Sequence, residues 1–395
     1  MSHVKRHGRV LNIILGLLLL FISCGDQSST GHDQTAVEAY CPLPALLNDG
    51  WEVGRLHDVG LDSVPIINML KEIERWDIHR FNGILIVKDG KLVFEKYYPG
   101  HVFDFNIPGL TATPMQYDAT TRHYLASQSK SVTSLLFGIA MDRGDILNVD
   151  DRIETYFAPE YSSNFQNGKE LITIKHLLTM SSGLPWNENP PATGDMYQLF
   201  TARDPIQYIL TQSLESTPGQ RFHYNSGSTN LLGEIVRRRS AQNLLQFARA
   251  NLFTPLGISN IDLKIIRGET YFASGGFFLT PRDMAKIGQL CLNGGVWNGR
   301  TIVSKQWLEE STRSWIYPTE FGMGNGYGYQ WWMNEFTAGG KQYHAYFAAG
   351  WGEQLMFVFP TEKMIVLFFG EYYTTGPRRS VHSLMADYIL ASVKR

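Results

Sequence analysis

Apolar positions recur with helical spacing in "GLDSVPIINMLKEIERW" (60–76), where Ile66, Leu70 and Ile73 share one face and Asp62 or Ser63 stands where an N-cap belongs. The pattern then changes. In "GILIVKDGKLVFEKYYPG" (83–100) two apolar runs flank Asp89-Gly90, which predicts a tight antiparallel hairpin. A second pair of apolar runs, "QLMFVFP" and "KMIVLFFG", meets at "PTEK" (360–363), and "RRSVHSLMADYILASV" (378–393) returns to helical spacing. Strands near both ends of the chain can therefore join one antiparallel sheet, with helices from both ends against it.

The middle of the chain is helical in pattern. "SVTSLLFGIAMDRG" (131–144), "TIKHLLTMSSG" (173–183), "DPIQYILTQSL" (204–214), "TNLLGEIVRRRSAQNLLQFARANLF" (229–253) and "TPRDMAKIGQLCLNGG" (280–295) all read as helices. Gly144 and Gly294 stand where a helix C-terminus takes a left-handed residue, and Thr280-Pro281 is an N-cap followed by a first-turn proline. The predicted fold class is α+β: an antiparallel β-sheet flanked by helices, with an all-helical region inserted at about 146–265.

The first forty residues stand apart. "MSHVKRHGRV" is basic, and "VLNIILGLLLLFI" (10–22) is apolar but short for a membrane span. "SCGDQSSTGHDQT" follows. This order resembles a bacterial lipoprotein signal, which implies cleavage before Cys24 and a lipid anchor on its sulfur. Residues 1–23 are then a signal peptide, 24–39 a polar tether and 40–395 one domain. A plain secretory signal or an uncleaved anchor are the alternatives. Each places the domain outside the cytoplasm, in the cell envelope or periplasm.

Composition narrows the partners. The 395 residues are 44% hydrophobic and 18% charged, enough for a large core, and a net charge of -2 offers nothing to nucleic acid. The one basic run, "RRR" (237–239), reads as the exposed face of a helix. Cys41 and Cys291 read as unpaired and non-catalytic, and without a CxxC or HExxH pattern neither a metal nor a cofactor is expected.

The candidate chemistry begins at "SQSK" (127–130). Residues at i and i+3 share a helix face, so a helix starting at Ser127 presents the Lys130 amine to the Ser127 hydroxyl. Burial and the positive end of a helix both lower a lysine pKa, which makes it a base. The spacing alone is weak, since "SHVK" (2–5) repeats it, and a capped helix start is the competing reading. Ser129 and Ser131 then read as surface or capping residues. In "FHYNSGSTNLLGEIV" (222–236), Tyr224 precedes a helical run; beside an ammonium its phenol ionises more easily and can relay protons. Ser226 can hold either Lys130 or Tyr224. Alone, this stretch reads equally as an aromatic anchor at a turn. In "YFAAGWGEQLMFVFP" (346–360), Gly350 permits close backbone approach, and the Trp351 N–H can join that of Ser127 as an oxyanion hole; a bulge at a strand start is the alternative.

Together with "ITIKHLLTMSSGLPW" and "ASGGFFLTPRDMAKIGQLCLNGG", these stretches resemble the serine β-lactamase and penicillin-binding-protein superfamily, in particular its class C-like branch of esterases and 6-aminohexanoate-dimer-type amidases. The resemblance implies Ser127 as the acylated nucleophile, Lys130 as its base and Tyr224 as the proton relay. Ser226 stands where relatives usually carry asparagine. The third motif, usually a lysine or histidine followed by a small residue and glycine, is here Ala348-Ala349-Gly350. The missing cation weakens the case for carboxylate-bearing β-lactams. Trp186, Trp331, Trp332, Tyr346 and Trp351 are candidate pocket walls. The expected function is hydrolysis of a small ester or amide; a DD-peptidase, a weak β-lactamase or a catalytically silent peptidoglycan-binding protein are the alternatives. No Gly-x-Ser-x-Gly occurs, which excludes an α/β-hydrolase elbow.

Overall fold

The computed structural model describes residues 40–104, 113–188 and 194–394. The predicted signal peptide, the tether and Cys24 lie outside the described residues. No helix among the described residues is long and apolar enough to cross a membrane.

Asp89 and Gly90 both adopt positive φ, 51° and 79°, the backbone that a two-residue hairpin turn with right-handed strand twist requires. They join β2 (Phe81–Lys88) to β3 (Lys91–Tyr97), with β1 (Glu52–Val53) parallel to β3 on the outer edge. Further along the chain come β4 (Gly326–Tyr327), β5 (Trp332–Ala338), β6 (Lys341–Gly350), β7 (Gln354–Phe359) and β8 (Met364–Gly370). The eight strands form one sheet in the order β1-β3-β2-β8-β7-β6-β5-β4. The β2–β8 pairing, with Ile84 opposite Phe368 and Ile86 opposite Val366, brings the two ends of the chain together.

Both faces of this sheet are buried, so its central strands read as unbroken apolar runs. Ile84, Ile86, Val366 and Phe368 pack on α1 (Ser63–Glu74, capped by the Asp62 side chain) and on the closing helix that starts at Val381–Leu384. Leu85, Val87, Ile365 and Leu367 face the other way, onto α2 (Ser129–Asp142), α4 (Pro281–Leu292) and the helices between them. Between α2 and α4 lie α3 (Ser226–Ser240) and several shorter helices. The residue that caps α4 is Thr280, with Pro281 in the first turn. Cys41 and Cys291 are buried and unpaired, and burial pushes the Cys291 thiol up to about 12. In the basic run, Arg237 and Arg238 form ion pairs with Glu234, Glu160 and Glu269 rather than facing open solvent.

Helix α2 is apolar around most of its circumference because it lies between the sheet and the helical layer. Gly138 is where this sandwich is tightest: a Cβ there would come within 2.2 Å of the Trp307 indole. Gly138→Ala is expected to destabilise the protein by about 1–3 kcal/mol, the usual cost of overpacking. A lowered urea midpoint with an unchanged denaturant slope is the readout.

Candidate active site

The short strand His123–Tyr124 pairs with Phe277–Leu279, and the Leu125 N–H donates to the Phe277 carbonyl. The chain must then turn sharply into α2. It does so with Ala126 at φ 47° and a single tight 3₁₀ turn, Ala126–Gln128; the α-helix begins only at Ser129. The expectation of a helix starting at Ser127 is corrected by one turn. The reason is the strand pairing at Leu125, which holds the backbone up to the turn. The tighter turn still brings the two groups together: Lys130 Nζ lies 2.8 Å from Ser127 Oγ.

Lys130 is buried, and its ammonium donates to three oxygens: Ser127 Oγ, Ser226 Oγ at 2.9 Å and the Ser274 carbonyl at 3.0 Å. Burial brings its pKa down to about 8, while the nearby Glu188 carboxylate pulls the other way. About a tenth of the amine is therefore neutral at pH 7, far more than for a lysine at its ordinary value. Ser226, the first residue of α3, holds the lysine, and Asn225 caps the helix by accepting from the Ser228 N–H.

Tyr224 is buried beside this pair. Its phenol is pushed up rather than acidified: burial is the main cause, Glu188 adds to it, and a hydrogen bond with Ser127 opposes both. The sequence reading expected the ammonium to ease ionisation. Instead Nζ lies over the ring face, 4.8 Å from its centroid, so the cation contacts the π-system while burial dominates at the oxygen. At rest the phenol keeps its proton, which suits it to donate. Trp332 stacks on the ring, with centroids 5.9 Å apart, and Glu320 grips the Tyr224 backbone N–H and the His223 side chain.

Gly350 ends β6 against the nucleophile turn. A Cβ there would lie 2.3 Å from the Leu125 carbonyl and 3.1 Å from the Gln128 nitrogen. Its missing side chain makes room for the nucleophile turn itself. The Trp351 indole is 45% exposed and donates to the Tyr373 carbonyl. Ala348 is buried in the same core as Val132 and Leu135 of α2.

The candidate walls divide. Trp332 backs Tyr224, and Trp186 packs across Gly227 of α3, 2.6 Å from where a Cβ would stand. Trp331 and Tyr346 are corrected: Trp331 is fully buried, Tyr346 stands edge-on to it, and both pack in the core rather than against Ser127. On β6, Tyr346 stands two residues from the buried Ala348 and so shares its face of the sheet.

Ser129 and Ser131 are also corrected, from surface or capping residues to buried ties. Ser129 Oγ accepts from the Phe277 N–H at 3.1 Å, and Ser131 Oγ donates to the Gln330 carbonyl at 2.7 Å. The Gln330 side chain in turn accepts from Thr229 and donates to the Leu177 and Leu178 carbonyls. Sequence reasoning missed Gln330, Ser274, Glu188 and Glu320. "ASGG" (273–276) was a visible signal for Ser274, whereas a lone glutamate or glutamine carries none.

A family model described as Beta-lactamase matches residues 72–388. The chain belongs to the beta-lactamase family. Among curated relatives it is 29% identical over 202 residues to the 6-aminohexanoate-dimer hydrolase of Paenarthrobacter ureafaciens, covering 48% of this chain and 50% of that protein. It is 28% identical over 184 residues to Protein flp of Staphylococcus aureus, covering 46% of this chain and 34% of that one. The chain thus spans about a third to a half of the length of these relatives. Among solved structures, EstCE1, a hydrolase with promiscuous acyltransferase activity, superposes with a TM-score of 0.64 at 15% identity, over 84% of this chain and 99% of its own. That likeness shows the fold. This beta-lactamase-family member shares its scaffold with structures described as a penicillin-binding protein homologue and a family VIII carboxylesterase.

Two outcomes follow from the geometry. The lysine acts as base only when neutral, so acylation should rise about tenfold per pH unit below about 8 and level off above it. Stopped-flow acylation rates across pH 5–10 check this to order of magnitude; a flat profile contradicts the assigned base. Gly350→Ala should leave the fold intact but displace β6 from the turn, lowering kcat by about 10²-fold, the range for losing one oxyanion donor. Circular dichroism and steady-state kinetics on the same sample separate the two effects.

Proposed function

We propose that this protein is a cell-envelope serine hydrolase that cleaves an ester or small amide through an acyl-enzyme on Ser127. The observation that carries this reading is the 2.8 Å contact between Ser127 Oγ and a buried lysine whose pKa is brought down to about 8. The neutral Lys130 amine takes the hydroxyl proton as Oγ bonds to the carbonyl carbon. The backbone N–H groups of Ser127 and Trp351 receive the oxyanion. Tyr224 gives its proton to the departing alkoxide or amine and is reprotonated from the Lys130 ammonium. Water then attacks the ester carbonyl of the acyl-enzyme, its proton passes to Lys130, and the acid leaves as Ser127 Oγ regains a proton.

The substrate preference rests on Ala348. A buried methyl group stands where a cation would hold a substrate carboxylate, which favours neutral esters and small amides over penicillins and D-Ala-D-Ala peptides. The kinship to an amide hydrolase and the shared fold of EstCE1 support the same choice. Attachment to the envelope through a lipid on Cys24 is part of the proposal and rests on the N-terminal sequence.

A fluorophosphonate probe is expected to label the wild type and not Ser127→Ala; folded wild type that stays unlabelled contradicts the nucleophile. Short-chain p-nitrophenyl esters should turn over while a chromogenic cephalosporin does not. Tyr224→Phe should lower kcat by about 10²-fold with little change in KM, within the range of general acid–base contributions. Incorporation of labelled palmitate into wild type and not Cys24→Ala checks the anchor.

A further inference from the structure

Glu188 is the one feature of the site that the acyl-enzyme chemistry does not use. One carboxylate oxygen accepts from the Ser226 N–H at 2.9 Å, at the start of α3. The other has no hydrogen-bond or ion-pair partner among the described residues, and the residue is partly open to solvent. Its charge acts on Lys130 and on Tyr224, the two groups nearest the Ser127 hydroxyl. Ser226 links the two charges, holding Lys130 by its hydroxyl and Glu188 by its backbone. On the Tyr224 side, the Lys130 ammonium lies 4.8 Å from the ring centroid, so an aromatic face already contacts a cation in this site.

The charge pattern is thus inverted relative to a site built for acidic substrates. Ala348 offers no cation, and a carboxylate that the chemistry does not use is held by Ser226, the same residue that holds Lys130. We propose that Glu188 anchors a positively charged group on the substrate, an ammonium or quaternary ammonium near the scissile carbonyl. The inference rests on the acyl-enzyme reading above. Aromatic faces and a carboxylate are the two groups that recognise such a cation.

Docking a cation there has a second effect. Glu188 favours the protonated lysine; the other groups around Nζ are the uncharged Ser127, Ser226, the Ser274 carbonyl and the Tyr224 ring, and Glu320 is already engaged by His223. A bound cation neutralises the carboxylate, so Lys130 gives up its proton to solvent more readily once the substrate is in place.

The test uses two isosteric pairs that differ only in charge. One pair carries it on the acyl side: p-nitrophenyl esters of 4-(trimethylammonio)butyrate and 5,5-dimethylhexanoate. The other carries it on the leaving group: butyrylcholine and 3,3-dimethylbutyl butyrate. Wild type should favour the cationic member of at least one pair by about tenfold or more in kcat/KM, and Glu188→Gln, which keeps a carbonyl for the Ser226 N–H, should bring the ratio close to one. For the preferred cation, the acid limb of kcat should lie below that of kcat/KM; for its neutral partner the two should coincide. No cationic preference in either pair overturns the proposal without calling on any variant. So does a preference that survives Glu188→Gln in protein still labelled at Ser127 by fluorophosphonate. Coincident limbs for both members overturn the coupling to Lys130. Turnover of neither member together with unlabelled Ser127 strikes the hydrolase reading itself, and this inference with it.

Discussion

A lysine side chain buried away from water must find an oxygen for each of its N–H bonds, and the active site is organised around that demand. The Lys130 oxygens come from three places in the chain: Ser127 one turn before it, Ser226 at the start of α3, and the Ser274 carbonyl in the segment before the last long helix. Meeting the demand pulls these segments together. The oxygens it touches are all neutral, and burial outweighs the pull of the Glu188 carboxylate, so its pKa falls. Structure and reactivity share one cause.

The surrounding polar residues make this arrangement rigid. Thr133 donates to the Ala273 carbonyl, Asn230 accepts from the Ser274 N–H and Ser129 accepts from the Phe277 N–H, so α2 and α3 grip residues 273–277 from both sides. Gln330 does the same work on the opposite flank, tying α2, α3 and the Leu177–Leu178 carbonyls to the turn that precedes β5. Ties from several directions fix one geometry, although Asn230 Nδ2 and Ser274 Oγ find no partner among the described residues, and they hold Ser127 and Lys130 within hydrogen-bonding reach.

The beta-lactamase scaffold carries several chemistries, so the chemistry of this member lies in what differs at its site. On the proposed reading, Ser127, Lys130 and Tyr224 carry acyl transfer, while Ala348 at the end of β6 and Glu188 at the start of α3 bear on which substrate charge the site accepts.

By itself, the sequence determined the elements. Asp89-Gly90 dictated the hairpin through its left-handed backbone, Asp62 and Thr280 the starts of two helices, and the apolar runs the strands, because these depend on neighbours a few residues away. The serine–lysine pair was legible for the same reason, both groups lying within one turn. What only the tertiary structure decided were relations across the chain: that Tyr224 meets Lys130 with its ring face and so keeps its proton, that Trp331 and Tyr346 point into the core, that Ser129 and Ser131 are ties, and that Ser274, Gln330 and Glu188 belong to the site at all. Burial and through-space fields set each of these, and they arise only once segments distant in the chain pack side by side, as far as the 199 residues between Ser131 and Gln330.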